Sequence, residues 1–302
     1  MAVPRFKALG LLAAAVLPLV SLWSVRAQSP VDIHADTSLV LVPVQVSTRQ
    51  GAPITDLPSS AFQIFEEGQQ QTIRYFAKDD TPVSVGLLFD SSASMSKKKA
   101  RAMEAAQAFF GTASRDDEFF LIEFDESARL EVPFTMETSA LYEEIRHTKP
   151  FGRTSLYDAI QLGLEVMKKA RYERRALVVV TDGADNRSRR NFSYIRNALA
   201  ESRVQLYAMG ITTPVYDEED SLDRLEQLAN LSGGRHFPVQ PENLAAVSTQ
   251  IGHLLRERYV LGFVPENLAK DGKYRRLSVK VTGDAGNPFQ VQHRPGYYAS
   301  NF

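Results

Sequence analysis

The segment Val83-Ser84-Val85-Gly86-Leu87-Leu88-Phe89 is the strongest constraint on the fold, because an almost unbroken apolar run of strand length leaves no face for solvent. Strands of this kind are buried on both sides, as in parallel sheets held between two helix layers. The following sequence supplies those layers. Met103, Ala106, Phe109 and Phe110 predict a helix within 97–110, and Leu156, Ile160, Leu164 and Met167 draw an amphipathic stripe over 156–170. Further helices are expected over 141–147, 191–202, 222–231 and 241–256, the 222–231 helix ending at Gly233-Gly234. Between them, 119–124, 130–134, 176–180 and 204–210 read as strands. Strands alternating with helices over 82–256 predict an α/β domain with a doubly wound, mostly parallel sheet.

Both flanks break that rhythm. Residues 39–46, 62–66 and 72–76 are β-branched or alternating segments separated by turn residues, with Pro43 expected near a sheet edge. After 256, strands are expected at 259–263, 277–281 and 289–292. Each flank is too short for a secure core of its own without cross-links. The reading is therefore that 28–81 and 257–302 pair into a small β-sandwich-like domain, with the α/β domain 82–256 inserted in it.

The chain has no cysteine, which excludes disulfides, thiolate zinc sites, iron–sulfur clusters and cysteine nucleophiles. Its 35 basic residues balance 36 acidic ones, giving no electrostatic case for nucleic-acid binding. At the start, Arg5 and Lys7 precede an apolar run from Ala8 to Val20, and Val25-Arg26-Ala27 leads into Gln28-Ser29-Pro30. This layout predicts an export signal over 1–27, cleaved after Ala27, with a retained anchor as the alternative. Export places the mature chain in the periplasm, the cell envelope or the medium. No later segment is apolar for long enough to span a bilayer.

The chemistry gathers where the apolar strands end. The first α/β strand runs into Asp90-Ser91-Ser92-Ala93-Ser94, and the strand at 176–180 into Thr181-Asp182-Gly183. In open parallel sheets, ligands bind beyond the carboxyl ends of the strands. Acids and hydroxyls are hard oxygen donors suited to a magnesium-type cation and not to zinc. Between the two lies Gly152-Arg153-Thr154-Ser155-Leu156-Tyr157-Asp158-Ala159, a hydroxyl pair opening the 156–170 helix. The plainer alternative is that the serines cap the helix beginning near Lys97. Capping accounts for one serine, and leaves Thr154 and Asp182 unexplained.

Asp90-x-Ser92-x-Ser94, Thr154 and Asp182 in Thr-Asp-Gly resemble the metal-ion-dependent adhesion site of von Willebrand factor type A domains. The resemblance covers roughly 81–256, and the flanks, with Gly68 and the ending Arg294-Pro295-Gly296-Tyr297, resemble a group of exported bacterial proteins related to that family. It implies that Ser92, Ser94 and Thr154 offer hydroxyls to Mg²⁺, with Mn²⁺ or Ca²⁺ as alternatives, while Asp90 and Asp182 ligate directly or through water. It further implies a non-enzymatic interaction module, in which the cation accepts an Asp or Glu from a partner protein or an envelope or matrix component. Arg153 departs from the family, which often has a small residue before the threonine.

The rival reading is a metal-dependent hydrolase acting on phosphate or ester substrates. The five histidines (34, 147, 236, 253 and 293) show no paired ligand spacing, and His147 is the nearest to Thr154. Dinucleotide, phosphate-loop and nucleophile-elbow motifs are absent from the sequence. Lys97, Lys98, Lys99, Arg153, Arg187, Arg189 and Arg190 are expected near the ligand-facing edge with the acidic loop 217–220, mostly as a solvated rim. Asp185 is expected to shape the loop after Asp182.

Overall fold

The computed structural model describes residues 39–48, 51–79, 81–182, 185–211, 219–269, 271–282 and 289–299. The N-terminal flank forms β1 (Val40–Ser47), β2 (Phe62–Glu66), β3 (Gln69–Gln71) and β4 (Ile73–Asp79). The alternating stretch follows as β5 (Ser84–Asp90), α1 (Lys99–Phe110), β6 (Glu118–Phe124), β7 (Ala128–Thr135), α2 (Thr138–His147) and α3 (Leu156–Met167). It continues through β8 (Arg175–Thr181), α4 (Phe192–Glu201), β9 (Val204–Ile211), α5 (Glu219–Ser232), β10 (Arg235–Val239) and α6 (Leu244–Arg256). The C-terminal flank adds β11 (Arg258–Phe263), β12 (Tyr274–Val281), β13 (Gln290–His293) and β14 (Gly296–Tyr298).

The central sheet has the order β10-β9-β8-β5-β6-β7, parallel throughout except for β7, which runs antiparallel at the edge. Successive residues of β5 serve opposite cores, as the pleat requires. Val85, Leu87 and Phe89 pack with Ala102, Phe109, Leu141, Ile251 and Leu255 from α1, α2 and α6. Leu88 packs on the other face with Ile160, Leu164, Ile195, Leu199 and Leu228 from α3, α4 and α5. Gly86 occupies the place of a second large residue on that face. A Cβ there would stand 2.1 Å from the Phe120 ring and 2.7 Å from Leu177, so the glycine makes room for the ring. This is the doubly wound α/β arrangement, with strand carboxyl ends along one edge.

The flanks build two antiparallel four-stranded sheets, ordered β13-β1-β11-β4 and β14-β12-β2-β3. Each combines strands from before residue 82 and after residue 256, with β1 and β4 on either side of β11, and β2 beside β12. Val42, Val44, Phe62 and Ile64 share one core with Tyr259, Leu261, Phe263, Leu277 and Val279. The rings of Phe62, Phe76 and Tyr259 meet at 4.9–5.6 Å, and the Leu57 N–H donates to the Tyr259 hydroxyl at 2.9 Å. Burying side chains of this size stabilises by about 1.5–3 kcal/mol each.

Several local expectations shift. β1 is an interior strand, so Pro43 is not on an edge strand. Pairing of β1 with β13 begins at Val44, however, and Pro43 lies just beyond that ladder. The first helix begins at Lys99, because 93–97 wind into a 3₁₀ turn. β3, β10 and β14 are short strands that periodicity does not announce. The 1–27 export segment, Gly183 and residues 217–218 of the acidic loop lie outside the described residues. Among the described residues, no helix is long and apolar enough to cross a membrane.

The two parts of the fold meet through a buried ionic cluster. Asp79, at the end of β4, pairs with Arg258 at 2.7 Å and with Arg174 at 3.5 Å. Arg174 also donates to the carbonyls of Thr81 and Leu255. Burial pushes the Asp79 carboxyl up, but Arg258, Thr81 and Arg174 outweigh it and hold it below its ordinary value. Burial and the neighbouring Arg258 bring Arg174 down to about 10.

Candidate functional site

Asp90 is the last residue of β5, and Asp182 follows the last residue of the adjacent strand β8. Parallel pairing of β5 with β8 therefore carries both acids to the same sheet edge. Asp90 is fully buried and Asp182 is nearly so. Asp90 Oδ1 accepts the Ser92 N–H at 2.8 Å, and Oδ2 accepts the Thr181 hydroxyl at 2.5 Å. The Ser94 hydroxyl donates to Asp182 Oδ1 at 2.7 Å. Ser92 and Ser94 hydroxyls lie 3.0 Å apart, and since the single Ser94 proton goes to Asp182, Ser92 donates to Ser94. Ser94 is the exposed member of this chain, so the site opens there.

The serines do not cap. Ser92 makes no side-chain cap to the 3₁₀ turn, and Lys98, at the N-cap of α1, makes none either. The Lys98 ammonium reaches Asp182 Oδ2, with the lysine side chain 14% exposed and that of Asp182 1% exposed. Lys99 turns elsewhere, donating to the carbonyls of Arg146 at 2.8 Å and of Thr148.

Thr154 is buried on the loop before α3. That loop is stitched to the first one by backbone bonds, Phe151 N–H to Ser91 at 2.8 Å and Ala93 N–H to the Gly152 carbonyl at 3.1 Å. Gly152 is required by its backbone, with φ at +72°, and a Cβ would also approach Glu126 Cγ to 2.5 Å. The loop after Asp182 holds Thr154 from the other side. Asn186 Oδ1 accepts the Thr154 N–H at 3.0 Å, and the Thr154 carbonyl accepts the N–H groups of Asn186 and Arg187 at 3.1 Å. Asp185 accepts the Tyr157 N–H at 3.2 Å and the Ser188 hydroxyl, the loop-shaping role expected of it. Asp158 accepts the N–H groups of Arg189 and Arg190 at 3.0 and 3.1 Å. Hydrogen bonds thus join Asp90, Ser92, Ser94 and Asp182 into one cluster, while Thr154 is placed beside it by its backbone.

Burial drives the Asp90 carboxyl up to about 6, against the pull of hydrogen bonds from Ser92 and Thr181, and the nearby charge of Asp182 adds to the rise. Two buried acids side by side attract positive charge. The donor set consists of two carboxylates and three hydroxyls, with the Lys98 ammonium standing where a cation is favoured. This chemistry fits a hard divalent ion. Ser91 Oγ and Ser155 Oγ, next to Asp90 and Thr154, are buried without hydrogen-bond partners. Among the described residues, no histidine hydrogen-bonds any of the five, and His147 is exposed, its ring nitrogen 2.8 Å from the Glu143 carbonyl.

Asn186 and Phe151 carry no motif signal in the sequence, and Thr181 has a role of its own beyond preceding Asp182. Thr181 and Asn186 are the donor to Asp90 and the acceptor for Thr154. Phe151, 68% exposed, and exposed Arg153 flank the Thr154 loop. Lys98 belongs to a basic run in which all three lysines look alike. A threonine directly before the strand-end acid was the one available signal.

No curated protein matches the chain. Among solved structures, a von Willebrand factor type A protein from Catenulispora acidiphila is similar over 78% of this chain and 75% of its own, at 13% identity and a TM-score of 0.52. An aerotolerance-related membrane protein from Bacteroides fragilis matches 57% of this chain and 98% of its own at 16% identity and a TM-score of 0.48. The vWF domain of the type V pili tip protein Mfa5 from Porphyromonas gingivalis matches 59% and 95% at 14% identity and a TM-score of 0.49. At 13% identity the likeness to the Catenulispora acidiphila protein speaks for the fold alone. The family model of the von Willebrand factor type A domain matches residues 85–184, the stretch from β5 through Asp182. Residues 85–184 thus match the von Willebrand factor type A domain model, and the α/β part of the chain has the fold of that family.

Proposed function

We propose that the chain is an exported protein-interaction module, whose α/β domain uses Asp90, Ser92, Ser94, Thr154 and Asp182 to hold Mg²⁺, with Mn²⁺ or Ca²⁺ as substitutes, and through it an Asp or Glu of a partner. The observation that carries this reading is the hydroxyl–carboxylate chain from Ser92 through Ser94 to Asp182 beside buried Asp90. When bound, the cation would supply an electrophilic centre able to attract an outside carboxylate.

The chain's own residues do the rest. Asp90 and Asp182 supply two negative charges, which balance a dication. Thr181 and the Ser92 N–H fix the Asp90 carboxylate in one orientation. Asn186 holds the Thr154 loop in place. Exposed Ser94 marks the side from which a partner approaches, and exposed Phe151 and Arg153 offer apolar contact and positive charge around it. Among the described residues, no imidazole hydrogen-bonds the five proposed ligands to serve as a general base, which favours binding over bond-breaking. The test is capture of partners from an envelope extract with Mg²⁺ and with chelator. Carboxylate-dependent capture lost on chelation supports the reading, and chelator-insensitive capture overturns the bridging mechanism.

A further inference from the structure

Resting on the metal reading above, we infer that Lys98 is a tethered counter-cation, which occupies Asp182 in the metal-free protein and raises the divalent concentration needed to load the site. Two independent observations point to it. The first is the contact itself. The Lys98 ammonium sits on Asp182 Oδ2, while Ser94 holds Oδ1 of the same carboxylate. Both side chains are largely withdrawn from solvent, unlike the rim on which a lysine run is expected to lie. The second is the position of Lys98 in the fold. It is the N-cap residue of α1, where acids and hydroxyl residues are favoured and a cation opposes the helix dipole. A lysine at this position runs against local preference, and its pairing with a buried acid offsets that cost.

Charge counting gives the consequence. Asp90 and Asp182 carry two negative charges when ionised, and Lys98 neutralises one. A dication entering with Lys98 in place leaves the pocket with a net positive charge. One entering after Lys98 departs leaves it neutral. Loading therefore works against either like-charge repulsion or the broken Lys98–Asp182 pair. The lysine stem can swing its ammonium into water without moving α1, so the exchange needs no backbone rearrangement. Neighbouring Lys97 and Lys99 cannot substitute, since Lys97 is exposed and Lys99 is tied to the carbonyls of Arg146 and Thr148.

The test compares the full chain with Lys98→Met, which keeps the stem and removes the charge, and with Lys98→Gln as a second variant. Mg²⁺ is titrated calorimetrically into each, and melting temperatures are read in chelator. Mg²⁺ should bind at least about tenfold more tightly to both variants, the size of effect one nearby charge exerts on an ionic site. In chelator both should melt lower than the unmodified chain, because buried Asp182 has lost its counter-charge. Equal or weaker Mg²⁺ binding in the variants, with clear binding to the unmodified chain, overturns the role of Lys98 and leaves the metal reading standing. Absence of Mg²⁺ binding in all three proteins overturns both.

Discussion

The Thr181 hydroxyl donates to the Asp90 carboxylate across 2.5 Å, linking the ends of two adjacent parallel strands through a fully buried acid. A carboxylate with no water around it depends on such donors. Thr181→Val keeps the shape and removes the hydroxyl, so Asp90 should lose about 1–3 kcal/mol of stabilisation. Urea denaturation at pH 8, where Asp90 is ionised, should show that loss. It should shrink when Asp90→Ala is already present, since the acceptor has gone, and additive effects in that double-mutant cycle would refute the coupling.

Asp79 is the anion between Arg258 and Arg174 at the junction of the β sandwich and the α/β domain. Asp79→Ala leaves two arginines facing each other, with Arg174 almost fully buried. Breaking a buried pair from one side costs about 3–5 kcal/mol. The measured loss should fall in that range in denaturant melts, and a loss below about 1 kcal/mol would show that the guanidiniums find other acceptors.

The scaffold was readable because its signals are repetitive. β5 carries apolar residues on both faces and α3 repeats its stripe over three turns, so a misplaced residue or two changes nothing. β10 escaped notice because it has five residues, including Arg235, His236 and Pro238, and it forms only where β9 offers a parallel edge. β14 and β3 are three-residue strands, defined by their partners β12 and β2 rather than by any pattern of their own. The site was readable to the extent that an acid ending a buried strand has no packing reason to be there. Lys98 could not be separated from Lys97 and Lys99 by sequence. The phase of the 3₁₀ turn at 93–97 aims one ammonium at Asp182, one at the 146–148 carbonyls and one at solvent.

Glu123 provides a pH test away from the proposed ligands. It is buried on β6 and accepts the Thr148 hydroxyl. Burial, reinforced by Glu131 and Glu144, lifts its carboxyl from 4.5 to about 7 against the Thr148 bond. The folded chain then holds a proton that the unfolded chain releases between pH 4.5 and 7. Stability should therefore fall as pH rises through that window and level off above it. Glu123→Gln retains an acceptor for Thr148 and carries no charge. At pH 8 it should be more stable than the unmodified chain by roughly 1–3 kcal/mol, and at pH 4.5 by little. Thermal melts at the two pH values decide this, and a gain of the same size at both would exclude the titration.

The proposed ligands should separate by charge. Asp90→Ala removes one of the two acids balancing the dication, and Mg²⁺ affinity should drop by roughly two orders of magnitude. Thr154→Ala removes one neutral donor whose place water can take, so the metal should bind within about tenfold of its original affinity. Thr154 lies on the loop beside exposed Phe151 and Arg153, so partner binding should suffer more than metal binding in that variant. Neither change should unfold the chain. Thr154 stands on a loop outside the two cores of the α/β domain, and the buried Asp90 charge is itself a burden, raised to about 6 by burial and by Asp182. Metal-free Asp90→Ala at pH 8 should accordingly melt no lower than the unmodified chain. Calorimetric Mg²⁺ titration of the three proteins, with melts in chelator, checks each statement. Unchanged Mg²⁺ affinity in Asp90→Ala would remove the site assignment, whatever the partner does.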